Sequence, residues 1–399
     1  MTEFIAFFVV LAAGLIVSEI FGRLHLPLVV ALIVGGILIG PYGLEWFIPN
    51  PTIEFFGQIG LVFLMFMAGL EIKLSSFREF KGDVAKISLL NGLVPLGAGI
   101  GLGIWFGLDW IAVFFLGIIF LSSSVAVISP SLQANALLSI RLGRIVISSA
   151  ILHDVTSLFL LLILLRFLEP NGSAIPDYLF YPLFVLSLFG IRWLIPRVHA
   201  IFISGAHEKD LFEEEVRIVL VALIGTVVFF ELMGLHAIIA GFFTGLVFSE
   251  IIKSNILKEK LRTISYGLFV PIFFIVVGTQ TNIRVFTEIN GTILLTILIV
   301  GGSVFSKFVS GWVGGKLIGF TNREAVIVGV ATVPQLSTAL AVVAVGYQRG
   351  LLSQELVAAI VVLSVTGVFL APLLISFLSK KSKEVIAVSP RAQEKTEMV

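Results

Sequence analysis

Long apolar stretches follow one another along this chain, separated by short polar segments. Uncharged runs include Leu26–Leu44, Ile87–Leu108, Trp110–Ile140, Thr263–Ile283, Ala325–Gln348 and Leu356–Ser379. Roughly 20 mostly apolar residues make one membrane-spanning helix. Outer-membrane strands would instead alternate apolar and polar residues in pieces of about ten, and these runs are continuous, so the chain reads as helical. Including runs that carry one or two ionisable groups, thirteen spans are predicted, near 4–22, 26–40, 55–72, 86–107, 110–133, 143–167, 178–197, 216–232, 234–250, 263–280, 289–314, 324–347 and 355–379. The first run lacks a basic flank before it and a small-residue cleavage site after it, and reads as a retained span rather than a signal peptide.

Composition narrows the class. Of 399 residues, 58% are hydrophobic, 13% are charged and none is cysteine, against about 25% charged in soluble chains. A cytosolic enzyme, a disordered chain and a disulfide-stapled module are excluded. The net charge of +1 argues against a nucleic-acid partner, which needs a basic surface. The expected class is an all-α polytopic membrane protein.

Lysine and arginine set its orientation. With the N-terminus outside, eighteen flanking basic residues fall on inner loops (Arg23, Lys73, Arg78, Lys81, Lys86, Arg141, Arg144, Arg197, Lys209 and others up to Lys383), against Arg166, Arg284 and Arg349 outside. An odd number of spans places the C-terminus in the cytoplasm.

Spans 1–6 (about 1–167) and 8–13 (about 216–379) read as two inverted repeats joined by a linker helix, 178–197, within one transporter unit, 1–379. Span 5 carries Ser122-Ser123-Ser124-Val125-Ala126-Val127-Ile128-Ser129-Pro130-Ser131, and span 12 carries Ala331-Thr332-Val333-Pro334-Gln335-Leu336-Ser337-Thr338. Proline removes a backbone donor and clashes with the preceding turn, so helix breaks are expected at Pro130 and Pro334. Broken helices at matching positions of inverted halves point to a midplane ion or substrate site. The plainer alternative is that the hydroxyls pack helices and the prolines kink them.

One acid lies between these levels. Asp154 is 13 residues beyond Arg141 by number, or roughly 20 Å at 1.5 Å per residue. Ser123, Ser124 and Gln335 come to a similar depth. A bare carboxylate at the bilayer centre costs at least about 2.5–3.5 kcal/mol, so it should hold a proton when no cation is present. Cation and proton then compete for one group, which is the chemistry of exchange. His153 either lends pH dependence or is a neutral ring held by a nearby hydroxyl. Lys307, deep in span 11, needs snorkelling or a partner, and a pair with Glu71 at the inner end of span 3 is one expectation. Glu71 is otherwise a candidate lining residue of the inner approach.

At these residues the chain resembles the cation:proton antiporter superfamily, in its Kef-like and NapA-like branch. The matching pieces are Phe66-Met67-Ala68-Gly69-Leu70-Glu71, Ser123-Ser124-Val125-Ala126-Val127, Ala150-Ile151-Leu152-His153-Asp154-Val155, Pro271-Ile272-Phe273-Phe274-Ile275-Val276-Val277-Gly278 and Leu370-Ala371-Pro372-Leu373-Leu374. The resemblance covers about 4–379. It implies crossed broken helices, a core domain around spans 3–6 and 10–13 moving in an elevator-like way against a dimerisation domain, a homodimer, and Asp154 as the carboxylate carrying Na+ or K+ and H+. Ser123 and Ser124 accompany it, with Thr332, Gln335, Ser337 and Thr338 as surrounding candidates.

Departures from the pattern carry information. His153 stands where electrogenic members have a first acid, span 10 has no lysine over 263–283, and Pro334-Gln335-Leu336-Ser337 replaces a Pro-Arg-Gly-Glu run. One titratable carboxylate then favours electroneutral exchange, one cation for one proton. The tail, 380–399, is too short and polar to fold, and no cofactor is expected. The segment Ile201–Glu215, with three consecutive glutamates, is a solvated loop or a regulatory face for a separate cytoplasmic subunit. Two alternatives stand beside exchange: a coupled carrier of a small organic anion on the same fold, and an intramembrane hydrolase, for which the sequence lacks a second facing acid and a His/Glu metal cluster. The expected location is the inner membrane of a prokaryote.

Overall fold

The computed structural model describes residues 2–23, 27–72, 80–168, 176–203, 211–287 and 291–387. His25, Lys73, Arg78, His207, Lys209 and 388–399 lie outside them. The described residues form helices α1 (Glu3–Arg23), α2 (Leu28–Ile39), α3 (Pro51–Leu70), α4 (Lys81–Trp105), α5 (Trp110–Leu121), α6 (Val125–Ala134), α7 (Arg141–Leu168), α8 (Asp177–Ile203), α9 (Leu211–Leu232), α10 (Ala237–Ile251), α11 (Asn255–Ile264), α12 (Val270–Gln280), α13 (Thr292–Leu317), α14 (Asn322–Ala331), α15 (Ser337–Gln348) and α16 (Gln354–Ala387). No strand occurs among the described residues. Each expected span coincides with one helix or with two helical pieces in line: span 5 is α5 and α6, span 10 is α11 and α12, span 12 is α14 and α15. Among the described residues, eight helical segments are long and apolar enough to cross a membrane by themselves, and four further apolar helices are shorter.

Local chemistry explains the helix starts. Asn50 accepts the Ile53 amide and Pro51 opens α3, where its missing donor costs nothing. Asp109 accepts from Ile111 and Ala112 at the start of α5. At the corresponding point of span 12, Thr321 and Glu324 form a reciprocal capping box.

Three expectations are revised. The break in span 5 lies at 122–124, and Pro130 sits inside α6. One missing amide bends a helix, whereas three consecutive serines compete for backbone groups and find partners for those they free. The break in span 12 does include Pro334, within the non-helical 332–336. The tail is helical through Ala387, and Glu213 and Glu214 open the first turn of α9 rather than lying in a loop; 204–210 lie outside the described residues.

The chain divides into two compact units: Met1–Leu74, Leu158–Asn290 and Ala344–Ala358 in the first, and Ser75–Ser157, Gly291–Val343 and Ala359–Val399 in the second. In the first unit, α3 packs on α10 and α2 on α12. Glycines bring these backbones close, as small residues do between membrane helices. A Cβ on Gly245 would lie 2.0 Å from the Phe66 carbonyl oxygen, and one on Gly278 would lie 2.2 Å from that of Ile33. Between α11 and α12 the chain takes a π-helical turn, Ser265–Phe269, whose Phe269 ring stacks on Phe63 at 5.0 Å. In the second unit, α4 packs on α5 and α13, and α13 packs on α14. Its apolar core is built from Val84, Ile87, Ile128, Leu132, Ile145, Val146, Val328 and Ile375.

Candidate ion-binding site

All but one of the candidate side chains lie in the second unit. The exception is Glu71, which belongs to the first and has Arg262 and Tyr266 as its electrostatic neighbours. The Lys307 ammonium, expected to pair with Glu71, is engaged by the Leu121 and Asn91 carbonyls and the Ser123 hydroxyl.

The unwound segments meet backbone to backbone. The Ser124 amide donates to the Pro334 carbonyl at 2.8 Å, and the Ser123 amide donates to Asp154 Oδ1 at 3.4 Å. These contacts satisfy amides that the break in span 5 would otherwise leave bare, the condition for irregular backbone at membrane depth. Asp154 is 5% exposed. The Thr338 hydroxyl, on the first turn of α15, faces its carboxylate.

The carbonyls at the end of α5 are accounted for one by one, as a helix terminus requires. Ser157 Oγ donates to Ile118 O at 3.1 Å and Ser122 Oγ to Ile119 O at 2.8 Å. Gln335 Nε2 donates to Phe120 O at 3.0 Å, and Lys307 Nζ to Leu121 O at 2.7 Å. A cation at the C-terminal end of a helix meets the negative pole of its dipole, which stabilises a fully buried lysine. Its remaining hydrogens reach Ser123 Oγ at 3.0 Å and Asn91 O at 3.3 Å. Span 10 has no lysine over 263–283, and span 11 supplies the base of this site.

His153 completes a directional chain. The Ser88 carbonyl, 3.2 Å from Nε2, can only accept, so Nε2 carries the hydrogen. Ser123 Oγ accepts from Lys307 and lies 3.2 Å from Nδ1. Its own hydrogen suits a neutral Nε2–H ring whose Nδ1 accepts. Of the two readings left open for His153, this geometry fits the hydrogen-bonded neutral one.

On the two unwound segments, the buried oxygens Ser124 Oγ and Gln335 Oε1 have no hydrogen-bond partner. Gln335 Nε2 also donates to Ser303 Oγ at 3.0 Å. Thr332 caps α14, its hydroxyl donating to Gly329 O at 2.9 Å, and Ser337 opens α15, buried. Sequence reasoning missed Asn91, Ser88 and Ser303. Asn91 alone carried a signal, an amide within the otherwise uncharged run 87–108.

The chain is similar to known proteins over most of its length. The family model described as sodium/hydrogen exchanger, transmembrane, matches residues 6–381. A probable Na+/H+ antiporter 3 of Methanocaldococcus jannaschii is 31% identical over 385 residues, covering 95% of this chain and 97% of that one. A Na+/H+ antiporter of Enterococcus hirae is 26% identical, covering 93% and 97%. The Na+/H+-K+ antiporter GerN of Bacillus cereus is 24% identical, covering 94% and 96%. Among solved structures, the sodium proton antiporter MjNhaP1 of M. jannaschii at pH 8 superposes with a TM-score of 0.66 at 17% identity, covering 93% of this chain and 96% of its own. The all-helical fold with interrupted spans is thus an antiporter fold, and the chain belongs to the transmembrane sodium/hydrogen exchanger family.

Proposed function

We propose that this protein is a secondary antiporter exchanging Na+ or K+ for H+, one for one, at Asp154. The carrying observation is a buried carboxylate faced by the Ser123 amide and the Thr338 hydroxyl, beside two unwound helix segments on which the Ser124 hydroxyl and the Gln335 amide oxygen have no hydrogen-bond partner. Alkali cations are hard and take oxygen ligands. A carboxylate in so dry a place keeps its charge only while a cation neutralises it, and otherwise keeps a proton. Each therefore displaces the other.

Lys307 acts here as a fixed charge. Its three ammonium hydrogens have three acceptors, so it has no need to release a proton in the cycle, and His153 stays neutral within its hydrogen bonds. One exchanging proton against one monovalent cation moves no net charge.

The named relatives support the cargo: two are Na+/H+ antiporters and one a Na+/H+-K+ antiporter. The organic-anion alternative finds no support among them, and a transport role rather than an enzymatic one accords with their names. The paired packings support two inverted repeats. Span 3 on span 9 has its counterpart in span 10 on span 2, and span 4 on span 5 in span 11 on span 12. A homodimer, elevator-type alternating access, and a prokaryotic inner membrane with the N-terminus outside complete the proposal.

The test is a proteoliposome assay with a trapped pH dye, challenged with Na+, K+ and Li+. Asp154→Asn should insert and fold but show no cation-driven proton movement. Retained exchange in that variant would overturn the assignment.

A further inference from the structure

From its contacts, we infer that Asn91 is a positioning residue for Lys307. It is fully buried on α4, and both its side chain and its backbone engage Lys307. Asn91 Nδ2 donates to the Lys307 carbonyl at 2.7 Å, and Lys307 Nζ donates back to the Asn91 carbonyl at 3.3 Å. The same amide reaches Ser310 Oγ at 2.9 Å, one turn along α13, and Thr332 Oγ1 at 3.2 Å, at the break of span 12. Two hydrogens thus serve three acceptors, one hydrogen being shared.

Asn91 fastens three things together: the backbone that carries the lysine, the helix end from which span 12 unwinds, and the lysine's own ammonium. Thr332 Oγ1 lies 3.3 Å from the same Lys307 carbonyl, so amide and hydroxyl converge on one atom. Space there is limited. A Cβ on Gly311 would come within 2.6 Å of Thr332 Oγ1 and 3.2 Å of Asn91 Nδ2, so the amide sits where the backbone of α13 comes close.

The consequence for exchange is competition. Held as it is, the ammonium points at Leu121 O and Ser123 Oγ, leaving Asp154 free to take a cation. Asp154 and His153, both on α7, are the charged or titratable groups that interact with Lys307 among the described residues, while α4 and α5 present carbonyls and hydroxyls. With the clamp removed, the lysine turns toward the nearest carboxylate and occupies electrostatically the place the cation needs. Asn91 thereby protects cation affinity without touching the cation.

This rests on the reading of Asp154 as the exchange site, and the experiment separates the two. Na+-driven proton movement is measured in proteoliposomes for the unmodified protein, Asp154→Asn, Asn91→Ala and Asn91→Thr, with rates normalised to inserted protein. Asn91→Ala is expected to raise the apparent KM for Na+ at least threefold with the maximal rate within twofold. Asn91→Thr, which keeps a donor at the same depth, should recover at least half of that change on a logarithmic scale. An unchanged KM for Asn91→Ala, or a fall in maximal rate alone, overturns the positioning role. So does equal impairment of both Asn91 variants. If Asn91→Ala does not insert, Asn91→Thr and Asn91→Ser are compared by the same criterion, Ser having the shorter reach and therefore the higher expected KM. Exchange surviving in Asp154→Asn would sink the site assignment. A dead Asp154→Asn with Asn91→Ala at unmodified KM would sink this inference alone.

Discussion

Ser123 is where the three ionisable groups of the site meet, its amide on Asp154 and its hydroxyl between Lys307 and His153. Its neighbour Ser124 has a hydroxyl with no protein partner. Two serines side by side therefore separate structure from cargo. Ser123→Ala strips an acceptor from a buried ammonium and a donor from a buried imidazole, and should lower stability by about 1–3 kcal/mol. Ser124→Ala removes a buried hydroxyl that makes no hydrogen bond within the protein and should not lower stability, while raising the KM for Na+. Thermal unfolding in detergent and the dye assay read the two effects separately. If Ser124→Ala left the KM unchanged, its hydroxyl would not be a ligand. Of this site, Asp154 was legible because a lone carboxylate at mid-span has few physical explanations. Lys307 was visible but misassigned, since depth is read from position along a span whereas its partners depend on which neighbouring helix its face meets. The contributions of Ser88 and Ser303 were illegible, since a carbonyl or hydroxyl in a bundle looks the same whether it packs or positions.

At the scale of elements, spans were read well and their interruptions less so. Hydropathy acts on some twenty residues at once and survives local irregularity, which is why each expected span has its helix. A break depends on whether freed backbone groups find partners in another segment. Pro334 has that setting, with the Ser124 amide on its carbonyl, while Pro130 continues a helix. The π-helical turn at Ser265–Phe269 left no mark in the pattern of apolar residues. Helix pairing depends on residues that hydropathy ignores. Gly245 and Gly278 admit backbone to 2.0 and 2.2 Å of where a Cβ would lie. Leucine at either position forces α3 from α10, or α2 from α12, and should abolish folded protein by size-exclusion chromatography. Gly190→Leu and Gly225→Leu, where nothing lies within 4 Å of the added Cβ, serve as controls and should yield near-parental amounts. Equal yields across all four would show that these close approaches do not hold the first unit together.

For the whole molecule, the decisive quantity is the charge moved per cycle. A carrier that binds either Na+ or H+ at one carboxylate presents the same net charge in both loaded forms, since Lys307 contributes a constant positive charge to each. Membrane potential then does no work on the exchange; were a second proton to cross with each cation's return, it would do about 2.3 kcal/mol of work per 100 mV. A K+ gradient with valinomycin imposes such a potential, and vesicles with the same K+ gradient but no valinomycin measure whatever exchange K+ drives by itself. The rate and extent of dye response at a fixed Na+ gradient should be the same at zero and at 100 mV of either sign. A response accelerated by one polarity and slowed by the other would mean that Lys307 or His153 gives up a proton during turnover, and that the lysine's three hydrogen bonds are only one state of a titrating group. Lys307→Met, which removes the charge and keeps the chain length, then decides between these accounts. With a fixed lysine the variant loses cation affinity or stability but stays insensitive to voltage. With a titrating lysine, its removal turns a voltage-dependent exchanger into a voltage-independent one.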